Sequence, residues 1–209
     1  MGEGVGFYWQ YEKFIRTQES RIDSVIGATG ALYAVRRALY RPIPEETILD
    51  DLYLPMQVVA QGYRTLLENG AQVYDNTSDT PRQEYARKVR TLAGNYQSFA
   101  QLSRLLNPFK SRVAVQFISH KLLRILAPFF LILLFVSNLF LLGGPLPQIC
   151  FIAQAALYLF ALVGAAGPQP LRRIFSAPYV FCLLNLSALA GLYRYLLGRQ
   201  QVTWQKGNI

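Results

Sequence analysis

The chain has 209 residues, of which 52% are hydrophobic and 16% charged, with a net charge of +9. That is room for one modest soluble domain or for a part-domain with membrane spans, and the apolar share is high for a wholly soluble protein. The two cysteines, Cys150 and Cys182, sit inside apolar runs, which excludes a disulfide framework and metal-ligand spacing.

Met1-Gly2-Glu3-Gly4-Val5 has neither the basic n-region nor the apolar stretch of a signal peptide, and Gly6 stands where a myristoylation site needs Ser or Thr. Residues 7–26 read as a helix with an aromatic face. Phe7, Tyr8, Tyr11, Phe14, Ile15, Ile22, Val25 and Ile26 recur mostly at spacings of three, four and seven. Glu12 and Arg16, then Thr17 and Arg21, are i,i+4 neighbours expected on the wet side.

A glycine-framed loop follows, Gly27-Ala28-Thr29-Gly30, and runs into Ala31–Val35, a short apolar stretch that suits a buried strand. Arg36-Arg37 follow it, and Pro42 and Pro44 mark a turn. Ile48-Leu49-Asp50-Asp51-Leu52 opens a helix expected to reach Ala60 and to stop at Gly62, with Pro55 an awkward residue inside it. Asp50 and Asp51 are either favourable first-turn carboxylates or reactive ones. Arg64–Leu67 and Ala71–Tyr74 read as strands around Asn69-Gly70, a hairpin signal. Asp75–Pro81 is a polar loop, and Glu84–Arg104 a basic helix that includes Gly94.

Charge is unevenly placed. Before Pro81 there are seven Lys/Arg against eleven Asp/Glu; from Arg82 to Arg124 there are nine basic residues and one acid, Glu84, the last acid in the chain. A basic block directly before a long apolar run marks a cytoplasmic membrane face. Nucleic acid is the rival partner for such charge, but no binding module is legible and a membrane segment follows at once. His120, the lone histidine, falls at that boundary with no ligand partner near it in sequence, and is read as interfacial.

Leu122–Leu142 is long enough to cross a hydrocarbon core of about 30 Å. Pro128 marks a kink in it and Gly143-Gly144-Pro145 close it. Ile149–Ala166 is a second crossing, which puts residues 143–147 outside and Arg172-Arg173 back in the cytoplasm. Pro178–Leu197 either spans or lies along the interface, and a span is the reading adopted here. A third crossing places Arg199 and Lys206 outside, against the positive-inside rule. The tail, Gln200–Ile209, is too short to fold alone.

The loop, the acidic pair and Arg87-Lys88-Val89-Arg90-Thr91-Leu92-Ala93-Gly94-Asn95-Tyr96-Gln97 together resemble the acceptor-side half of membrane-embedded family 2 glycosyltransferases, those related to cellulose, hyaluronan and poly-N-acetylglucosamine synthases. The resemblance covers roughly residues 7–145. It implies that the first helix lies near the membrane interface. It also implies that Gly27, Thr29 and Gly30 line the acceptor pocket, that Asp51 is the catalytic base, and that Asp50 orients the site. Arg90 matches an arginine of the family and would face the diphosphate, with Arg87 one turn away. The family often has Gln-x-x-Arg-Trp there. This chain keeps the arginine and lacks both Gln and Trp, which removes a stacking platform for an acceptor sugar and counts against long-chain processive synthesis. Surface charge facing lipid is the competing role for Arg87 and Lys88.

Such a transferase carries out a single displacement at the anomeric carbon. A base on the acceptor hydroxyl contributes about a hundred- to ten-thousand-fold, and cations stabilise the departing diphosphate. Asp51, Thr29 and Arg90 are therefore expected to border one cavity on the cytoplasmic side. In the family, the donor half supplies a Rossmann-like nucleotide-binding sheet and an Asp-x-Asp that holds magnesium or manganese. The 26 residues before Gly27 supply neither. No metal ligand is assigned within this chain. It reads as the second half of an enzyme, a fragment or a split subunit, which partners a separate donor-binding half.

The expected fold is α+β, a partial glycosyltransferase A-type domain with few strands followed by transmembrane helices. Its parts are residues 1–104 (acceptor side), 105–121 (interfacial basic segment) and 122–209 (membrane helices and tail). The expected function is inverting hexosyl transfer from a nucleotide sugar to a growing polysaccharide or lipid-linked acceptor, in contact with membrane lipids. The expected location is the inner membrane, multi-pass, with the catalytic part cytoplasmic. The alternative is a non-catalytic anchor or assembly subunit of a polysaccharide-synthesis complex, with no pocket at Asp51.

Overall fold

Two helices with apolar stripes organise the head. The computed structural model describes residues 2–74 and 81–203. Within them α2 (Asp50–Ala60) contributes Leu52, Met56 and Val59, and α3 (Pro81–Gln101) contributes Leu92 and Phe99, to one buried core. Asp50 and Asp51 occupy the first turn of α2, where carboxylates meet the positive end of the helix dipole. The helix ends as expected before Gly62, which takes the left-handed φ of +91°. Gly94 lets the chain ahead of α2 lie directly on α3, since a Cβ there would come within 2.5 Å of Leu49 Cγ and 2.9 Å of Ile48 Cγ2. Gln97 holds the same stretch by its backbone, accepting from Ile48 N–H at 2.8 Å and donating to Glu46 O at 2.8 Å.

The expected α+β class is corrected: among the described residues none lies in a strand. Ala31–Val35, Arg64–Leu67 and Ala71–Tyr74 are irregular. Strands need a neighbour for their N–H and C=O groups, and these stretches have only isolated links. Val25 N–H donates to Thr65 O, and Thr65 Oγ1 donates to Val25 O. Asn69-Gly70 does make a turn, closed by Ala71 N–H on Glu68 O, but no ladder extends from it. The apolar side chains that would have lined a sheet stand in the open, with Leu32 58%, Leu66 60% and Val73 46% exposed.

α1 (Gly2–Ile22) forms where a helix was expected but presents the opposite face. Tyr11, Phe14 and Ile22 are exposed, whereas Glu12 and Glu19 are buried. Val25 and Ile26, expected at its end, leave the helix and enter the core. Phe7 and Tyr8 lie outside the described side chains, and residues 75–80 and 204–209, with most of the expected polar loop and tail, lie outside the described residues.

A short α4 (Ala114–Gln116), a π-helical turn (Phe117–Leu122) and α5 (Leu123–Phe140) run on as one rod. Then come α6 (Pro145–Ala166), a short α7 (Gln169–Ile174) and α8 (Ser176–Leu196). The rod, α6 and α8 are each long and apolar enough to cross a membrane, α8 being the least apolar. α5 and α6 form a hairpin, in which Phe135 stacks on Phe151 at 5.3 Å and Gln154 donates to Leu131 O. α8 begins against the end of α6, where Gly164 leaves no room for a Cβ beside Phe175 and Tyr179. Its second half lies on the head. Ala188 joins the core, Gly191 backs onto Leu92 and Ala93, and Tyr195 stacks on Tyr96 at 6.3 Å.

Candidate active site

The loop after α1 and the first turn of α2 meet backbone to backbone. Gly27 adopts φ +88°, a left-handed angle that favours glycine, and turns the chain back toward α2. Ala28 N–H then donates to Asp51 O at 2.7 Å. Gly30 lies over the Asp51 side chain so closely that a Cβ would sit 2.9 Å from Oδ2. Thr29 Oγ1 accepts from Arg16 Nη1 at 3.3 Å.

Asp51 is half-buried behind this loop. Burial pushes its carboxyl above the usual aspartate range, and the charge of Asp50 adds to the rise; Lys121, Arg16 and Arg90 oppose it. Asp50 is exposed. Tyr33 leans on the pair. Burial raises its phenol first, then the charges of Asp50 and Asp51, with a hydrogen bond to Asp50. A carboxylate that is kept basic, bounded by a glycine and backed by cations, suits proton abstraction from a hydroxyl.

The residues singled out from sequence do not all converge. A cavity of about 1070 Å³ opens beside the loop and is lined by Gly27, Thr29, Tyr33, Arg36 and Arg64 among others. Asp51, Asp50, Gly30, Arg87 and Arg90 are not part of its wall. Arg90 reaches backbone instead: its Nη2 donates to Ile48 O at 3.0 Å and to Val202 O at 2.7 Å. Its charge is still felt at Asp51, while Arg87 stands one turn earlier on α3, half-buried. Among the described residues no group of three or more His, Cys, Asp or Glu side chains could hold a metal ion.

One cluster escaped the sequence reading. Glu12, Glu19 and His120 are 4%, 5% and 8% exposed. His120 Nδ1 lies 2.7 Å from Glu19 Oε1, and Nε2 lies 3.2 Å from Glu12 Oε1. Arg16, Lys121 and Arg124 complete the surroundings of Glu12 at 3.1, 3.9 and 3.3 Å. Burial alone would raise the Glu12 carboxyl. The hydrogen bond from His120, with the charges of Lys121, His120 and Arg124, outweighs it and holds Glu12 well below the ordinary range. The expected wet pair Glu12–Arg16 does form, but inside the protein. A signal was present: Glu12 and Glu19 are seven apart, two helical turns, and so share one face.

A family model described as glycosyl transferase family group 2 matches residues 2–167. Searches of curated proteins and of solved structures each return no match.

Proposed function

Because the chain belongs to glycosyl transferase family group 2, we propose that it forms the acceptor side of an inverting enzyme akin to the cellulose, hyaluronan and poly-N-acetylglucosamine synthases. The enzyme moves a hexosyl group from a nucleotide sugar to a growing polysaccharide or a lipid-linked acceptor. Asp51 takes the proton of the attacking hydroxyl, Asp50 with Tyr33 orients it, and Gly27, Thr29 and Gly30 form the acceptor loop. The observation that carries this reading is the Asp51 carboxylate, raised by burial and packed against Gly30.

The cavity beside Thr29 offers the acceptor a place next to the loop that packs on Asp51. Arg90 and Arg87 supply positive charge to the diphosphate side. A separate donor-binding half supplies the nucleotide site and its divalent ion. The open, unpaired stretches at Leu32, Leu66 and Val73 are suited to receive strands from such a half.

Three long apolar helices fit membrane association. In our reading α5 and α6 cross the inner membrane, the head faces the cytoplasm, and α8 lies along the head-side interface. The contacts of α8 with α6 at one end and α3 at the other support that placement. It also keeps Arg194 and Arg199 on the basic side, as the positive-inside rule asks.

The test is Asp51→Asn in the complete protein with its donor-binding part. Transfer should fall about a hundred- to ten-thousand-fold with folding intact. Retained transfer would remove Asp51 as the base and leave the anchor role standing.

A further inference from the structure

Glu12, Glu19 and His120 take no part in the chemistry proposed above, yet they are buried. Carboxylates are costly to bury unless each is paired and hydrogen-bonded. Here both are paired through one imidazole, and each then reaches the same loop. From Glu12 one arm runs through Arg16, whose Nε donates to Oε1 at 3.1 Å and whose Nη1 donates to Thr29 Oγ1 at 3.3 Å. From Glu19 a second arm runs to the loop's other end, where Oε2 accepts from Ile26 N–H at 3.3 Å. Ile26 directly precedes Gly27. The turn that covers Asp51 is thus tied at both ends to a single side chain, and that side chain belongs to the π-helical turn at the root of the first membrane helix.

We propose that His120 is a positioning residue for transfer: through Glu12–Arg16–Thr29 and Glu19–Ile26 it holds the Gly27–Gly30 loop against Asp51. The catalytic part of the claim rests on the reading of Asp51 as the base. A loop with two glycines has little stiffness of its own. Charge-assisted hydrogen bonds are the strong kind, and two anchors fix both position and tilt. The arrangement also ties the geometry of the site to the docking of the head on the membrane helix. A displacement of about 1 Å at a reacting group can cost about a hundredfold in rate.

The experiment compares wild type, His120→Gln, Thr29→Val and Thr29→Ser in the full-length protein in lipid nanodiscs, with its donor-binding part present. Amide hydrogen exchange of residues 26–30 is read without substrate, and kcat and KM are read with it. In His120→Gln the loop amides should exchange about tenfold faster. Its kcat should fall about ten- to a hundredfold while the donor KM changes little. Thr29→Val cuts one arm without stranding a buried charge, so it answers the question even if His120→Gln does not fold. It should also speed loop exchange, and Thr29→Ser, which keeps the hydroxyl, should restore wild-type exchange. Unchanged loop exchange in His120→Gln and Thr29→Val overturns the proposal, and so does faster exchange with kcat intact. If wild type transfers no sugar, the reading of Asp51 fails on its own. Loop exchange then decides alone whether His120 holds the loop.

Discussion

Ala28 donates its amide to the carbonyl of Asp51 at 2.7 Å, an oxygen that an unbroken helix would give to the residue four positions on. That residue is Pro55, which has no N–H to offer. The proline that looked out of place in the sequence therefore leaves an acceptor free on the first turn of α2, and the loop takes it. Pro55→Ala restores a competing donor. Ala28 should then exchange its amide about two- to tenfold faster, as befits sharing a bond worth about 0.5–1.5 kcal/mol, although α2 itself becomes a better helix. Site-resolved hydrogen exchange checks this, and equal protection at Ala28 in both proteins would count against it.

Gly30 and Gly94 should answer alanine differently. At Gly94 the new methyl meets Leu49 and Ile48 in the core, so Gly94→Ala should destabilise by about 1–3 kcal/mol from overpacking, more than the gain of about 0.8–1 kcal/mol in helix propensity. Gly30 is exposed, and its methyl meets only the Asp51 carboxylate. Gly30→Ala should leave the unfolding midpoint near wild type and lower transfer by about ten- to a hundredfold through the displaced base. Denaturant unfolding alongside initial rates separates the two effects.

Two carboxyls shifted in opposite directions give opposite pH signatures. Glu12 lies below its unfolded value of 4.5 in the folded chain. Its contribution is therefore present above pH 4.5 and is lost as pH falls below it toward the folded value. Thermal unfolding of the wild type should weaken steeply in that window, and Glu12→Gln should weaken less. Asp51 is raised above 3.8, so its contribution is full below pH 3.8 and is lost as pH rises through the folded value. Asp51→Asn should accordingly unfold at a higher temperature than wild type at neutral pH while being inactive. The acid limb of the rate profile should lie above the ordinary aspartate range, because the base must be ionised to act.

Arg90 holds the carbonyls of Ile48 and Val202 with one terminal nitrogen. A lysine keeps the charge, but its stem ends one bond short of the Nη2 position that makes both contacts. Arg90→Lys should free the segment around Val202 from α3, at a cost of about 1.5–3 kcal/mol for hydrogen bonds from a charged donor. Limited proteolysis should then cut near residues 199–203 faster than in wild type. An unchanged cleavage rate would mean that packing of Val202, not Arg90, secures the segment.

What the sequence made legible follows the range of the interactions. α2 could be read because its signals are local: Asp50 and Asp51 at the start, Gly62 at the stop. The three long apolar helices could be read because length and apolarity suffice to mark them. The buried face of α1 could not, since the partner that draws Glu12 inward, His120, is 108 residues away. Without that partner the aromatic side is the natural one to bury. The expected strands failed for a related reason. Val73 and Leu66 have the residue types of a strand, but a ladder also needs a second backbone, which no described segment provides. At the site, Asp51, Thr29 and Arg90 were expected to border one cavity, and of the three only Thr29 lines it; the diversion of Arg90 to Val202 depends on a chain return from the far side of α8.

The place of α8 turns on that same return. Gln154 sits beside Leu131, so Gly164, ten residues later, lies about 15 Å further toward the root of α5. α8 starts there, against Gly164, and ends beside Tyr96, whose hydroxyl donates to Ile125 O at that same root. A helix with both ends at one level fits the interfacial placement proposed above in place of the span expected from sequence. With Cys150 and Cys182 replaced by alanine, Gln200→Cys should react with a membrane-impermeant maleimide from the face that labels Arg172→Cys. Gly143→Cys should react from the other. Labelling of Gln200→Cys on the Gly143 side would make α8 a third span and would part its end from α3, which the packing of Gly191 on Ala93 does not allow in a single conformation.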